Sequence, residues 1–141
     1  MQGKSTSALE QELSGCADLR EYLKVNAAAL HTPELPALLQ ETINRSGLSR
    51  AEVARRSGLN TVYVYQIFSG QRRPSRESLL CLCFAMELRA AQTQKLLLHA
   101  GYGQLYVRNR RESVIYYALD NALTLESVNQ QLDALGEPPL H

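Results

Sequence analysis

Two glycines twelve residues apart, Gly58 and Gly70, cut the middle of this 141-residue chain into pieces too short for anything but brief helices or strands. The first piece, SRAEVARRSG, opens with Ser49 and carries Glu52 three residues later. That is the reciprocal capping pattern, in which hydroxyl and carboxylate each satisfy a backbone N–H that lacks a helical partner. Val53, Ala54 and Ser57 then share one face at helical spacing. Gly58 stands where so short a helix stops, and glycine accepts the left-handed conformation that such an ending needs. After Leu59 and Asn60 comes TVYVYQIFSG, with Val64 and Ile67 one helical turn apart and Gly70 as the next stop. By propensity alone TVYVYQIF is a strand. Following a capped helix and a three-residue turn, and closed by its own glycine, it is predicted instead as a helix of about eight residues, because context overrides propensity in so short a segment.

The flanks repeat the helical pattern. In TPELPALLQETINRSG, Leu35, Leu38, Leu39 and Ile43 recur at spacings of three and four, and the prolines stay at the start, where a helix tolerates them. Pro74 and Ser75 restart the chain as a helix with Leu79, Leu80, Leu82, Cys83 and Met86 as its apolar members, and AAQTQKLLLHAG adds a fifth helix ending at Gly101. The spaced set Leu48, Ser49, Glu52, Val53, Ala54, Gly58, Leu59, Val64, Ile67, Gly70, Pro74, Leu79 and Leu88 resembles the signature of the lambda-repressor-like, or Cro/Xre-type, helix-turn-helix family. The resemblance spans residues 34 to about 100 and implies five packed helices, the second crossing a DNA backbone and the third entering the major groove. Two positions depart from it: Phe68 stands where the family commonly has an acidic residue, and Val62 is apolar where a polar residue is usual.

Charge is segregated along the chain in a way that its net value of +1 hides. Residues 45–76 hold seven arginines against one acid, and residues 89–111 hold five basic side chains and no acid. Residues 1–44 carry three basic and six acidic groups, and residues 112–141 carry five acids with no lysine or arginine. Two basic blocks folded onto one face would hold a polyanion, since phosphate neutralisation depends on local charge.

With Val64 and Ile67 turned inward, the opposite face of the same helix presents Thr61, Val62, Tyr65, Gln66 and Ser69. Thr61, Val62, Tyr65 and Gln66 are the expected base readers: Gln66 is able to pair bidentately with adenine, and Thr61 and Val62 to touch thymine methyl groups. Phosphate contacts need charge and reach without base geometry, and are expected from Arg50, Asn60, Tyr63, Ser69, Arg72, Arg73 and Arg76. Arg50 also sits in a first helical turn, where free backbone N–H groups favour an anion. The spacing of Arg55 and Arg56 from Arg50 turns them partly away, toward solvent.

The remaining segments are expected as helical extensions, giving an all-α chain with boundaries at 1–31, 32–101 and 102–141. Leu9, Leu13, Leu19, Tyr22 and Leu23 support one or two short amphipathic helices at the front. Behind the central domain, a helix from about 109 to 121 and another from about 125 to 135, capped by Thr124, are predicted. Val114, Ile115, Ala118, Leu119 and Ala122 form one apolar stripe and Leu125, Val128, Leu132 and Leu135 a second, so the two stripes bury each other or a partner. Tyr116 and Tyr117 are expected to pack. Arg108, Arg110 and Arg111 extend a DNA footprint or pair with the acidic end of the chain, and the sequence leaves both open. This tail resembles that of a bacterial subgroup of Xre-type proteins.

Other chemistries find little support. Cys81 and Cys83 lack metal-ligand spacing and, on a helix, point about 200° apart, so they are expected as small buried apolar groups. His31, His99 and His141 belong to no ligand motif, and neither a phosphate-cradling glycine loop nor a nucleophile elbow occurs. No enzyme activity, metal or cofactor is expected. No apolar run approaches the roughly 18–20 residues of a membrane span, and MQGKSTSALEQELSG lacks the basic start and apolar stretch of a secretory leader, so a cytoplasmic location without membrane contact is expected. The expected function is a sequence-specific DNA-binding transcription regulator, a repressor, acting on double-stranded DNA as a homodimer over half-sites about 34 Å apart. The alternative is a protein–protein adaptor that uses the same scaffold to hold a regulatory partner.

Overall fold

The computed structural model describes residues 5–26 and 34–141, which fall into two compact units. Among the described residues there are nine helices and no strand. His31 and the expected boundary between residues 31 and 32 lie outside the described residues.

The first unit is a helix pair, α1 (Thr6–Gly15) and α2 (Leu19–Val25). Ser5 caps α1 by accepting from the Ala8 N–H at 3.1 Å, and Asp18 caps α2 by accepting from the Arg20 N–H at 3.0 Å. Of the expected apolar stripe only Tyr22 is buried; Leu9 is half-buried, and Leu13, Leu19 and Leu23 remain exposed. The Asn26 side chain locks the pair from its far end, donating to the Glu12 carboxylate and the Tyr22 carbonyl, each at 3.1 Å.

The second unit contains α3 (Leu35–Ser46), α4 (Arg50–Ser57), α5 (Thr61–Ser69), α6 (Arg76–Ala85), α7 (Ala90–His99), α8 (Arg110–Asp120) and α9 (Leu125–Ala134). The Ser49 hydroxyl caps α4, accepting from the Glu52 N–H at 3.1 Å. The return half of the expected box does not form, because the Glu52 carboxylate turns instead toward Arg56, 3.7 Å away. Gly58 ends α4 at φ 69°, and the buried Ser57 hydroxyl spans the turn by donating to the Ala54 carbonyl and accepting from the Leu59 N–H. Asn60 starts α5, its side-chain oxygen accepting from the Val62 and Tyr63 N–H groups. Strand propensity loses to burial here: Val64, Ile67 and Phe68 form an i, i+3, i+4 set that only a helix can bring onto one buried face. Gly70 closes α5 at φ 83°, and a Cβ there would stand 3.3 Å from the Pro36 ring, so glycine is favoured by both conformation and space.

Every residue of α6 from Ser78 to Ala85 is buried. A helix apolar on all sides has to be surrounded, and α4, α7 and α9 pack around this one. The tail beyond residue 101 is therefore part of the core. Ile115, Ala118, Leu119, Val128, Leu132 and Leu140 join one apolar cluster with Leu39, Val53 and Ile67. The two predicted stripes bury each other and α6 together, while Ala122, Leu135 and Tyr117 stay exposed, contrary to the packing expected of them. Cys81 and Cys83 are fully buried, and burial pushes both thiols up to about 12. They stay protonated and pack as small apolar groups.

Because α9 covers α6, Leu132→Ala is expected to lower the stability of the whole 34–141 unit by about 2–5 kcal/mol. Urea unfolding of the full chain, followed by helical circular dichroism and by tyrosine fluorescence, checks this. A separable tail would instead lose α8 and α9 at low urea and leave α3–α7 unmoved.

Candidate nucleic-acid interface

The face of α5 opposite Val64, Ile67 and Phe68 is open to solvent. Thr61, Val62, Tyr65 and Ser69 are exposed there and Gln66 is half-exposed. Val62 at 63% and Tyr65 at 41% exposure are large apolar groups left in water on a helix whose other side is fully buried. The side-chain amide of Gln66 makes no hydrogen bond within the protein, so its donor and acceptor are both available. Its main-chain carbonyl gathers the Gln71 N–H at 2.9 Å, the Arg72 N–H at 3.2 Å and the Ser69 hydroxyl at 3.1 Å. The loop that carries the next arginines is thus tied to the end of α5.

The four arginines expected on phosphate divide into different situations. Arg72 is exposed and its side chain has no hydrogen-bonding partner; its guanidinium lies 5.1 Å over the Tyr63 ring, which restrains it without using its N–H groups. Arg50 donates to the Gln40 side chain at 2.6 Å and lies 5.5 Å over the Phe68 ring, which gives a physical use to a residue that departs from the resemblance. Arg73 donates to the Ala100 carbonyl and lies 4.7 Å over Tyr102. Arg76 is fully engaged: it forms a two-pronged pair with Glu112 at 2.6 and 3.0 Å and also donates to the carbonyls of Gly103 and Gln104. Asn60, Val62, Tyr63, Gln66 and Arg72 line one shallow hollow on this face. Within it, the Asn60 oxygen is occupied by capping and the Tyr63 hydroxyl accepts from the Ser75 N–H at 3.2 Å.

Arg55 is exposed and unpaired, and Arg56 pairs with Glu87 at 3.0 Å. Of the three arginines left open between a DNA footprint and the acidic end, Arg111 goes elsewhere. It pairs with Glu77 of α6 at 2.5 and 3.2 Å and donates to the carbonyls of Pro138 and Pro139. Arg108 and Arg110 are exposed and pair with nothing. Arg76–Glu112 and Glu77–Arg111 make a crossed double ion pair between the first turns of α6 and α8, half-buried on both sides. Burial disfavours the Glu112 carboxylate, but hydrogen bonds from Arg76 and the Tyr106 N–H, with the charges of Arg76 and Arg111, outweigh it and hold the carboxyl below its ordinary 4.5. Sequence spacing gives no sign of this clamp, since its partners lie 34 and 36 residues apart.

Among the described residues, no group of three or more His, Cys, Asp or Glu side chains is placed to hold a metal ion. No helix of the described residues is long and apolar enough to cross a membrane.

Residues 34–96, which cover α3 to most of α7, match the family model described as a helix-turn-helix domain. The chain contains that domain, with α4 and α5 as its two central helices. No significant match was found among curated proteins or among solved structures.

The clamp carries a pH signature. Glu112 has a lowered pKa in the folded state, so its contribution to stability is present above the unfolded value and is lost as pH falls through the folded one. Glu112→Gln is expected to be less stable than the parent at about pH 7, with the gap closing below about pH 4. Denaturation midpoints of both proteins across pH check this; a gap constant with pH would mean that the carboxylate charge does not hold the clamp.

Proposed function

We propose that this protein is a sequence-specific DNA-binding transcription regulator of the Cro/Xre type, which lays α5 in the major groove and acts as a repressor. Support comes chiefly from one arrangement. An exposed, short helix offers Thr61, Val62, Tyr65 and the unpaired Gln66 amide, and Arg50 and Arg72 flank it over aromatic rings.

In this reading the two kinds of contact divide the labour. Arg72, Arg50 and the remaining N–H groups of Arg73, with the Asn60 amide and the Tyr63 hydroxyl as neutral donors, take backbone phosphates and supply salt-dependent affinity that ignores sequence, while Ser69, whose one O–H is given to the Gln66 carbonyl, is left out. Gln66 pairs with an adenine edge, and Val62 and Thr61 meet thymine methyls, which supplies discrimination. Arg76 is left out of the contact set, since its N–H groups are spent on Glu112 and two carbonyls. A single short helix gives weak binding, so the active form is a homodimer on half-sites about 34 Å apart. Repression then follows from occupancy of the operator.

Selection of bound sites from random duplexes, followed by titration across salt, tests the reading. Gln66→Ala is expected to cost about 1–3 kcal/mol at particular base pairs and nothing at others. Arg72→Ala is expected to weaken all duplexes alike and to reduce the salt slope by about one per bound subunit, about two for the dimer. Full-length protein that ignores duplexes at low salt, or binds with no salt dependence, would sink the proposal and favour the adaptor.

A further inference from the structure

The loop between α7 and α8 combines a rigid backbone with idle side chains. Leu105 is held on both sides by the Gln94 amide, which accepts its N–H at 2.7 Å and donates to its carbonyl at 3.1 Å. The Tyr106 N–H donates to Glu112 at 2.7 Å, the Val107 carbonyl accepts from the Ser113 hydroxyl, and the Asn109 N–H donates to the Tyr106 carbonyl at 2.9 Å. Yet Tyr106 is 61% and Val107 56% exposed, and Arg108 and Arg110 are exposed without any partner. No acid of residues 112–141 pairs with those two arginines, although that segment holds five.

The loop is also anchored beside α5. The Tyr63 hydroxyl of α5 accepts from the Ser75 N–H, and the carbonyl of the adjacent Pro74 accepts from the Tyr102 hydroxyl at 2.6 Å. Arg76, the next residue after Ser75, holds the carbonyls of Gly103 and Gln104 at 3.0 and 3.2 Å. The segment that leaves the recognition helix and the loop that precedes α8 are thus stitched side by side. Within that seam, the charges of Arg76 and Glu112 cancel, as do those of Arg111 and Glu77. What remains uncompensated is positive: Arg72, Arg73, Arg108 and Arg110.

We infer that residues 106–110 form a second DNA contact, seating Arg108 and Arg110 on backbone phosphates that flank the base pairs met by α5. The inference rests on the DNA-binding reading above and adds a contact outside the residues of the helix-turn-helix match. A backbone already fixed in the free protein loses little freedom on binding, so the ordering cost of the two contacts is confined to the arginine side chains. Tyr106 and Val107 lie between the seam and these arginines in sequence, and covering them against the sugar edge removes apolar surface from water. Because the contacts are to phosphate, they add strength and footprint length without adding sequence preference.

The test uses the full chain and a duplex recovered by selection, in two lengths, one ending at the bases read by α5 and one extended outward on both flanks. With the extended duplex, Arg108→Ala/Arg110→Ala is expected to reduce the salt slope by about two per bound subunit, about four for the dimer, with base preference unchanged, and the Arg108→Lys/Arg110→Lys protein is expected to keep the slope. Trimming the flanks is expected to impose the same loss on the parent and no further loss on the double alanine variant. Both side chains are unpaired in the free protein, so folding is not at risk, and circular dichroism confirms it. An unchanged slope in the double alanine variant, while Arg72→Ala still lowers it, overturns the flank contact and leaves the α5 reading standing. A parent protein that binds neither duplex overturns both.

Discussion

The burial of α6 on every side is the constraint from which the rest of the second unit follows. Leu79, Leu80, Leu82 and Phe84 point in different directions from one ten-residue helix, and none is more than 6% exposed. Each such side chain contributes about 1.5–3 kcal/mol when fully buried. Four of them together match the whole net stability of an ordinary domain, about 5–15 kcal/mol. Uncovering even one side of α6 is therefore a matter of folding, and α4, α7 and α9 are all required to cover it. This is why a helix-turn-helix element, itself only two short helices, arrives with a C-terminal hairpin built into its core.

How much of this can be read in the chain depends on how far apart the cooperating residues stand. Glycine stops, side-chain caps and apolar periodicity act within a turn or two, and they locate α4, α5, α8 and α9 to within a residue at each end. The exposed face of α5 is equally accessible, because fixing Val64 and Ile67 inward fixes Thr61, Val62, Tyr65 and Gln66 outward. Phe68 is harder: as a deviation from a family pattern it looks like a surface residue, and only the fold reveals it as buried and as the platform beneath Arg50. Glu87 and Ala122 are harder still. They end α6 and α8 in left-handed conformations, φ 58° and 54°, where local rules call for glycine. Nothing in the neighbouring residues announces those turns.

The arginines show the same limit most clearly. Arg72, Arg73 and Arg76 sit within five residues and have equal claim on a phosphate when judged by type and position. In the folded unit one is restrained only by a ring, one is bonded to a carbonyl, and one is spent on a carboxylate 36 residues away. Arg108, Arg110 and Arg111 divide in the same manner, with Arg111 taken by Glu77 and the other two free. Counting charge along the chain cannot separate these cases, because pairing is decided by tertiary contacts between segments of opposite sign.

That division bears on how the protein would meet a polyanion. An arginine already paired with a carboxylate brings no net charge, and breaking it away would leave a half-buried acid without its partner, a cost that a screened surface contact does not repay. The crossed pairs between α6 and α8 therefore act as fixed struts, and the electrostatic pull comes from the guanidinium groups they leave unpaired. Since the struts hold the segment after α5 against the loop before α8, they also fix the spacing between Arg72 on one side and Arg108 and Arg110 on the other. Phosphates recur along a duplex at a set interval, so a rigid spacing between cations is worth more than the same charges on flexible arms. The two strut acids, Glu112 of α8 and Glu77 of α6, would in this view serve nucleic-acid binding by organising the basic surface, although they carry the sign that DNA repels.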